Sequence, residues 1–383
     1  MNESSHTFAL LNLLGSARTT LAFWLTSPTT IFSKASTPAR QIHELSLFVI
    51  LITGMIFLVV SGLLVYALFK FRSRPGDAME PPQVFGSTQI ELAWTIIPIL
   101  ILLVLFLGTA RVIFAIEDAP KPKNAVNVVV VGHQFWWEFR YPDYNVVTAN
   151  ELHVPASDDA APIPTYMKLT SADVIHSFWV PRLAGKTDLL PNRVNEMWMD
   201  PHKPGIYEGQ CAQFCGPQHA KMLLRVVVDT PADFQAWITA QQQTQQSKTT
   251  ADQPTPVQPN VGNAGVSGGA PANVSATRGE VADNLDASSN EVNPQQGRRV
   301  FEEQACINCH AVRGTVANGR YGPDLTHLMS RATIAAGAAN NTPDSLKAWI
   351  TDPAVFKAGS LMPAMHLTDR QNAQITSYLT TLQ

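Results

Sequence analysis

The stretch EGQCAQFCGPQHAKM, residues 208–222, places Cys211 and Cys215 just ahead of His219 and Met222. Thiolate, imidazole and thioether are soft-to-borderline donors, the set that selects copper over magnesium or calcium. The β-branched run that follows, LLRVVVD at 223–229, predicts a strand, so these donors sit in a loop leading into it. A further imidazole has to come from elsewhere in the chain, and DVIHSFWVP, residues 173–181, supplies His176 at a strand end. A C-x3-C pair alone would equally suit a redox disulfide or half of a zinc site. With His176, His219 and Met222 all present, copper is the stronger reading.

Outward from that loop, VNVVVVGHQFWWEFRYP at 126–142 is rich in β-branched and aromatic residues, and 165–170 and 192–200 share its character. Several short strands separated by Pro, Gly, Asn and Asp predict a β-sandwich or barrel. The aromatic stripe Phe135, Trp136 and Trp137 suits packing in such a core. His43, His133, His153, His202 and His327 are expected to be structural or at the surface rather than ligands.

Upstream the chain is far more apolar. Residues 45–69 form a run that, at about 1.5 Å per residue, can cross roughly 30 Å of hydrocarbon. A second run at 90–116 contains Pro98. Lys70, Arg72 and Arg74 lie in the short connection between them, which predicts a cytoplasmic loop and both termini outside. Core helices of a soluble protein would be shorter. Residues 8–25 are moderately apolar but lack a basic leader and a clean cleavage site, so a processed signal and an exported tail both stay open for 1–42.

Downstream, residues 241–293 are Gln, Thr, Pro, Gly, Ser and Ala with almost no large apolar side chain. Such a composition cannot offset its ordering entropy and predicts a flexible linker. Helical patterning returns at 294–383. There ACINCHA, residues 305–311, carries Cys306-x-x-Cys309-His310, the c-type haem attachment signature. Two thiols at that spacing add to the haem vinyls, and the adjacent imidazole becomes an iron ligand. Thr342 before Pro343 suits a helix N-cap, and Thr368 with Gln371 suits a capping box.

The 4 cysteines of the 383-residue chain thus fall into two close pairs, a poor disulfide framework but a good one for metal and haem. With none near the N-terminus, a lipid-anchored lipoprotein is not expected. A net charge of −3 with 15% charged residues gives no sign of a nucleic-acid partner.

The residues around Cys211 and His176 resemble subunit II of cytochrome c oxidase, and the resemblance runs over residues 40–237. In that family the pattern C-x-E-x-C-x-x-x-H-x-x-M, with an upstream histidine in an H-S-F/W segment, binds the binuclear CuA centre. The resemblance implies that Cys211 and Cys215 bridge both coppers and that His176 and His219 bind one each. Met222 would cap one copper and the backbone carbonyl of Gln213 the other. Many relatives carry Glu where this chain has Gln213; coordination through the backbone should survive, while the glutamate's contact with an interface magnesium is left open. The segment around Phe135 lies where an external cytochrome c delivers electrons in other members, usually with Trp first, and a tethered haem would relax that position. Glu91, in the family setting I-E-x-A-W-T-x-x-P, marks the entrance of a proton path into the partner subunit; it would also complement the helix dipole.

Residues 294–383, with Cys306-x-x-Cys309-His310 followed by YGPDL at 321–325 and LMPAM at 361–365, resemble the small all-helical cytochromes c. That implies Met362 as second axial ligand and the Pro323 carbonyl as acceptor for the proximal imidazole N–H. Met365 competes, and Met362 is favoured because it precedes Pro363; His366 ranks below both.

The expected architecture is therefore a multidomain membrane protein. A segment at 1–42 leads to a transmembrane hairpin at 43–117, a cupredoxin-like β-sandwich with CuA at 118–240, the linker at 241–293 and an all-α cytochrome c domain at 294–383. The resemblance, closest to subunit II of caa3-type oxidases, implies a respiratory role in the bacterial cytoplasmic membrane, with both redox domains on the outer, periplasmic side. Electrons would pass from an external cytochrome c or another donor through haem c and CuA to the catalytic subunit, with subunit III a further partner. No residue of this chain is expected to reduce O2. The alternatives are the CuA subunit of a nitric oxide reductase, which differs only in the partner's substrate, and a thiol–copper chaperone, which would lack the His and Met offsets and the haem signature.

Overall fold

A computed structural model of the protein describes residues 28–72, 86–117, 122–158, 160–243 and 292–383. The apolar stretch at 8–25, Arg74 and nearly all of the expected linker lie outside the described residues.

Two long helices come first, α1 (Thr37–Lys70) and α2 (Thr88–Glu117). Both are apolar all round, with mean hydropathies of 2.8 and 2.7 over windows in which no residue is buried by the rest of the chain. Leu58, Leu63, Phe69, Leu102, Phe106 and Phe114 point outward. A helix with no polar face needs apolar surroundings on every side, and each of these is long enough to span a bilayer. α1 begins earlier than the expected residue 45. Pro38 sits in its first turn, and Pro38 and Ala39 are buried. This first part leaves the apolar run and reaches the β-domain, where Thr37 N–H donates to Asp200 Oδ1 at 2.7 Å. At the far end of the pair, Trp198 Nε1 donates to the Ile116 carbonyl at 2.7 Å.

The next ten strands form a sandwich: β1 (Val126–His133), β2 (Trp136–Tyr141), β3 (Val146–Ala149), β4 (Glu151–Pro155), β5 (Thr165–Ser171), β6 (His176–Trp179), β7 (Thr187–Leu189), β8 (Asn195–Met199), β9 (Gly205–Cys211) and β10 (Leu223–Asp229). One sheet has the order β3-β2-β1-β5-β8 and the other β4-β10-β9-β6-β7. The aromatic stretch at 126–142 is a hairpin, β1 against β2, with Val130 opposite Phe139. The 192–200 stretch narrows to β8 because Asn192 takes a left-handed turn (φ 60°). Alternation along β2 sends Trp137, Phe139 and Tyr141 inward, where they meet Leu152, Met167, Leu169, Phe178 and Val226. β10 does likewise with Leu224, Val226 and Val228.

α3 (Pro231–Gln242), capped by Thr230, closes one end of the sandwich with Phe234 and Ile238. It carries the chain past the expected start of the linker at 241. Gln241 is buried and its side chain donates to Ser330 Oγ, so that boundary moves to about 243.

The last domain is built on α4 (Pro294–Glu303), the short α5 (Cys306–Cys309), α6 (Pro343–Thr351) and α7 (Asp369–Leu379), with the small ladder β11 (Thr333–Ile334) and β12 (Ala339–Asn340). α4 and α7 cross at Gly297, where a Cβ would lie 1.9 Å from the Gln374 carbonyl oxygen. Only glycine permits that approach. The expected caps are present: Thr342 accepts from Ser345 N, and Thr368 and Gln371 form a reciprocal capping box.

Candidate functional site

The sulfur-rich loop is pinned at three points. Cys211 N–H donates to the Met222 carbonyl at 3.0 Å, closing the loop between β9 and β10. Ala212 N–H donates to the Ser177 carbonyl at 2.9 Å, and Phe178 of β6 pairs with Cys211 of β9, so the strand bearing His176 is registered against the loop. Gly216 (φ +134°) lets the loop turn beneath the Phe135 ring.

This frame brings together the residues that the sequence singled out as copper ligands. Cys211 Sγ is 3.9 Å from Cys215 Sγ, 3.9 Å from His176 Nδ1 and 3.2 Å from the Gln213 carbonyl oxygen. Cys215 Sγ is 3.8 Å from His219 Nδ1 and 3.8 Å from Met222 Sδ. Donors about 2.0–2.3 Å from a shared ion at a tetrahedral angle lie roughly 3.5–3.8 Å apart, so these spacings suit ligands converging on metal. His176, Cys211, Cys215 and Met222 are all buried, which excludes water from the cluster.

The electrostatics favour a thiolate beside a protonated imidazole, an arrangement that would have to release protons for these groups to ligate metal. The thiol of Cys215 hydrogen-bonds to Cys211 and, helped by His176, pulls the Cys211 thiol far below its ordinary range. Cys215 is in turn pushed up by Cys211, so without metal the pair shares a single negative charge. Burial works against a charge on His176, but Asp173 Oδ1, 2.8 Å from Nε2, prevails and raises it. Asp173 is the residue that sequence reasoning missed. It fixes the ring so that Nδ1 faces the sulfurs, and it also accepts from Gln134 N–H at 2.6 Å. The DxxH spacing was the available signal. Gln134 Nε2 donates to the Cys215 carbonyl at 2.7 Å, tying the β1–β2 turn to the cluster.

A cavity of about 690 Å³, within the roughly 300–1,000 Å³ typical of cofactor sites, is walled in part by Gln134 and Asp173, the residues that brace this cluster. Cys306, Cys309, His310, Met362 and Met365 line it, with Leu325, Ile350 and Ile375 as apolar wall. His133, Gln134, Phe135 and Trp136 of the β-domain complete it. His310 Nδ1 is 2.8 Å from the Pro323 carbonyl; a carbonyl only accepts, so Nδ1 carries the proton and Nε2 is left for a ligand role. Burial pushes the His310 imidazole down, keeping it neutral. A Cβ on Gly322 would meet the ring at 2.5 Å, so glycine is what admits the imidazole there. Two thiols, a neutral imidazole and thioethers around an apolar slot fit a covalently held haem. Met362 and Met365 both reach the cavity.

Other expected positions play structural parts. His133 stacks on Trp136 with ring centroids 4.1 Å apart and bonds to Glu138, His153 bonds to Asp229, and His327 bonds to the Gln383 carbonyl. Glu91 lies in the first turn of α2, away from both centres.

Three family descriptions match successive parts of the chain. Residues 26–110 match the cytochrome c oxidase subunit II transmembrane domain, 159–230 the subunit II periplasmic domain, and 294–383 cytochrome c. Cytochrome c oxidase subunit 2 of Alkalihalophilus pseudofirmus is 32% identical over 90% of this chain and 88% of its own length. The protein of the same name from a Bacillus species is 31% identical, covering 82% of this chain and 80% of its own. The crystal structure of the periplasmic domain of subunit II of cytochrome oxidase from Bradyrhizobium japonicum is 29% identical, covers 32% of this chain and 95% of that one, and superposes with a TM-score of 0.29.

Asp173→Asn should let the His176 ring reorient and weaken copper binding by about 10- to 100-fold, read by competition with a copper chelator. Unchanged affinity would show that the carboxylate does not orient the ring.

Proposed function

The chain belongs to the cytochrome c oxidase subunit II family, its periplasmic domain followed by a cytochrome c domain, and from that premise we propose how it delivers electrons within the oxidase. Electrons from a cytochrome c or another external donor would enter through the haem-binding domain at residues 294–383, leave through the copper-binding domain, and reach the catalytic haem–copper subunit that reduces O2 to water with proton pumping. The observation that carries this reading is the shared wall. Phe135 and Trp136 of the β-domain face the same cavity as Cys306, Cys309, His310 and Met362, while the neighbouring Gln134 bonds to the Cys215 carbonyl.

Copper and haem iron, when bound, supply one-electron redox centres; the chain's residues hold them. Cys211, Cys215, His176 and His219, with Met222 and the Gln213 carbonyl, would hold the copper centre. Cys306 and Cys309 would hold the haem, and His310 and Met362 would serve as its iron ligands; a thioether in that role would raise the haem potential. Gln213 carries no charge, so this chain's side chain is not assigned to an interface magnesium. Neither long helix contains a histidine between Leu45 and Glu117, so the O2-reducing site is assigned to a partner, subunit I, with subunit III a further partner. The hairpin sits in the bacterial cytoplasmic membrane with both redox domains outside, and Glu91 at the inner end of α2 collects protons for the partner.

Purified complex fed with reduced cytochrome c should consume O2, and this chain isolated from it should contain two coppers per covalent haem. Consumption of nitric oxide without O2 uptake would transfer the chain to a nitric oxide reductase, and zinc in place of copper would overturn the metal assignment. A thiol–copper chaperone is disfavoured by Met222 and by the haem signature. Met362→Ala should lower the haem potential in a redox titration while Met365→Ala leaves it unchanged; the reverse result would exchange their roles. Glu91→Gln should slow O2 turnover with haem and copper spectra intact, and unchanged turnover would remove the proton role.

A further inference from the structure

Electron transfer between the two domains, as read above, requires a defined docked pose, because tunnelling weakens steeply with distance. The contact between them is built from buried polar groups as well as apolar ones. Glu151, the first residue of β4, is 3% exposed, yet its carboxylate lies against the cytochrome domain. Oε1 accepts from Ala332 N–H at 3.0 Å, from Thr333 N–H at 3.1 Å and from Thr333 Oγ1 at 3.3 Å, and Oε2 accepts from Ala332 N–H at 3.1 Å. All four bonds cross from one domain to the other. The amides belong to the start of β11, immediately after Arg331, which lines the haem cavity.

A second group of contacts lies on the far side of that cavity, with the donors and acceptors arranged differently. Lys357 of the cytochrome domain is 3% exposed, and its Nζ donates to the Phe135 carbonyl at 3.0 Å. Lys221 Nζ donates to the Phe356 carbonyl at 2.6 Å, and the Gln218 side-chain amide donates to the Ala358 carbonyl. Between the two groups, Leu223 N–H donates to the Ala336 carbonyl at 3.2 Å, and Trp136 packs with Ala149 and Ala336.

An apolar patch tolerates sliding, whereas a buried carboxylate facing two backbone amides is satisfied in one pose only. Any other pose leaves an ionised group dry and unpartnered. We propose that Glu151 is a latch: by engaging the amides of Ala332 and Thr333 it fixes the cytochrome domain on the copper domain, with the cavity against Phe135 and Trp136, and is a positioning residue for transfer between the centres. This rests on the electron route proposed above, but the latch itself is a matter of docking and is tested separately.

The test uses the purified full-length complex. Hydrogen–deuterium exchange reads the amides of Ala332 and Thr333, and rapid reduction of the haem reads its equilibration with CuA. In Glu151→Ala those two amides should exchange at least about tenfold faster, since a charge-assisted bond has been removed, and transfer should slow, with the spectra of both centres unchanged. Glu151→Gln, which keeps one acceptor oxygen, should fall between wild type and Glu151→Ala, and it serves alone where the alanine variant does not assemble. Unchanged exchange and transfer in either variant would overturn the latch, as would slowed transfer with unchanged exchange. Wild-type protein whose haem never reduces CuA would instead sink the electron route, while the exchange measurement still decides the docking.

Discussion

Cys211 N–H and the Met222 carbonyl meet across the mouth of the sulfur loop, and much of the chain is arranged around that closure. It sets β9 against β10, and the pairing of Phe178 with Cys211 brings β6 to the same level, so His176 arrives from the other side of the loop. Six candidate donor atoms from two separate segments are thereby held within reach of one another. Reorganisation on binding or on a change of charge is correspondingly small, since the sandwich core beneath the loop is closely packed by Trp137, Phe178 and Leu224.

The copper and haem motifs were legible because their chemistry is local: Cys211, Cys215, His219 and Met222 share one loop, and Cys306, Cys309 and His310 share one turn. His176 could be read as a ligand only through family resemblance and its strand-end setting, since spacing alone does not link it to residues in another strand. The groups that hold these ligands were less visible. Asp173 looks like any turn acid. Glu151 reads as the polar end of an alternating strand and Lys357 as an ordinary surface cation, yet both are buried by a domain that lies far away in sequence. Burial of that kind is set by tertiary docking, to which local patterning is blind.

The aromatic stripe shows the same division. Packing in a β-core was the bland expectation, and Trp137 fulfils it. Trp136 is on the opposite face, as strand alternation requires, and there it stacks with His133 and packs under Ala336 of the cytochrome domain. Two adjacent indoles thus serve two different interiors. The pKa of Lys357, lowered to about 7 chiefly by burial and further by Lys221, marks how completely water is removed at this seam.

The ends of the two long helices fix one further property. Pro38, Ala39 and Thr37 carry α1 directly onto the sandwich, and the indole of Trp198 clips the Ile116 carbonyl near the end of α2. The copper domain therefore stands on two short, stiff legs instead of hanging from a strap. A tilt of the hairpin would therefore carry the sulfur loop with it. What looks like a pair of anchors is also a lever.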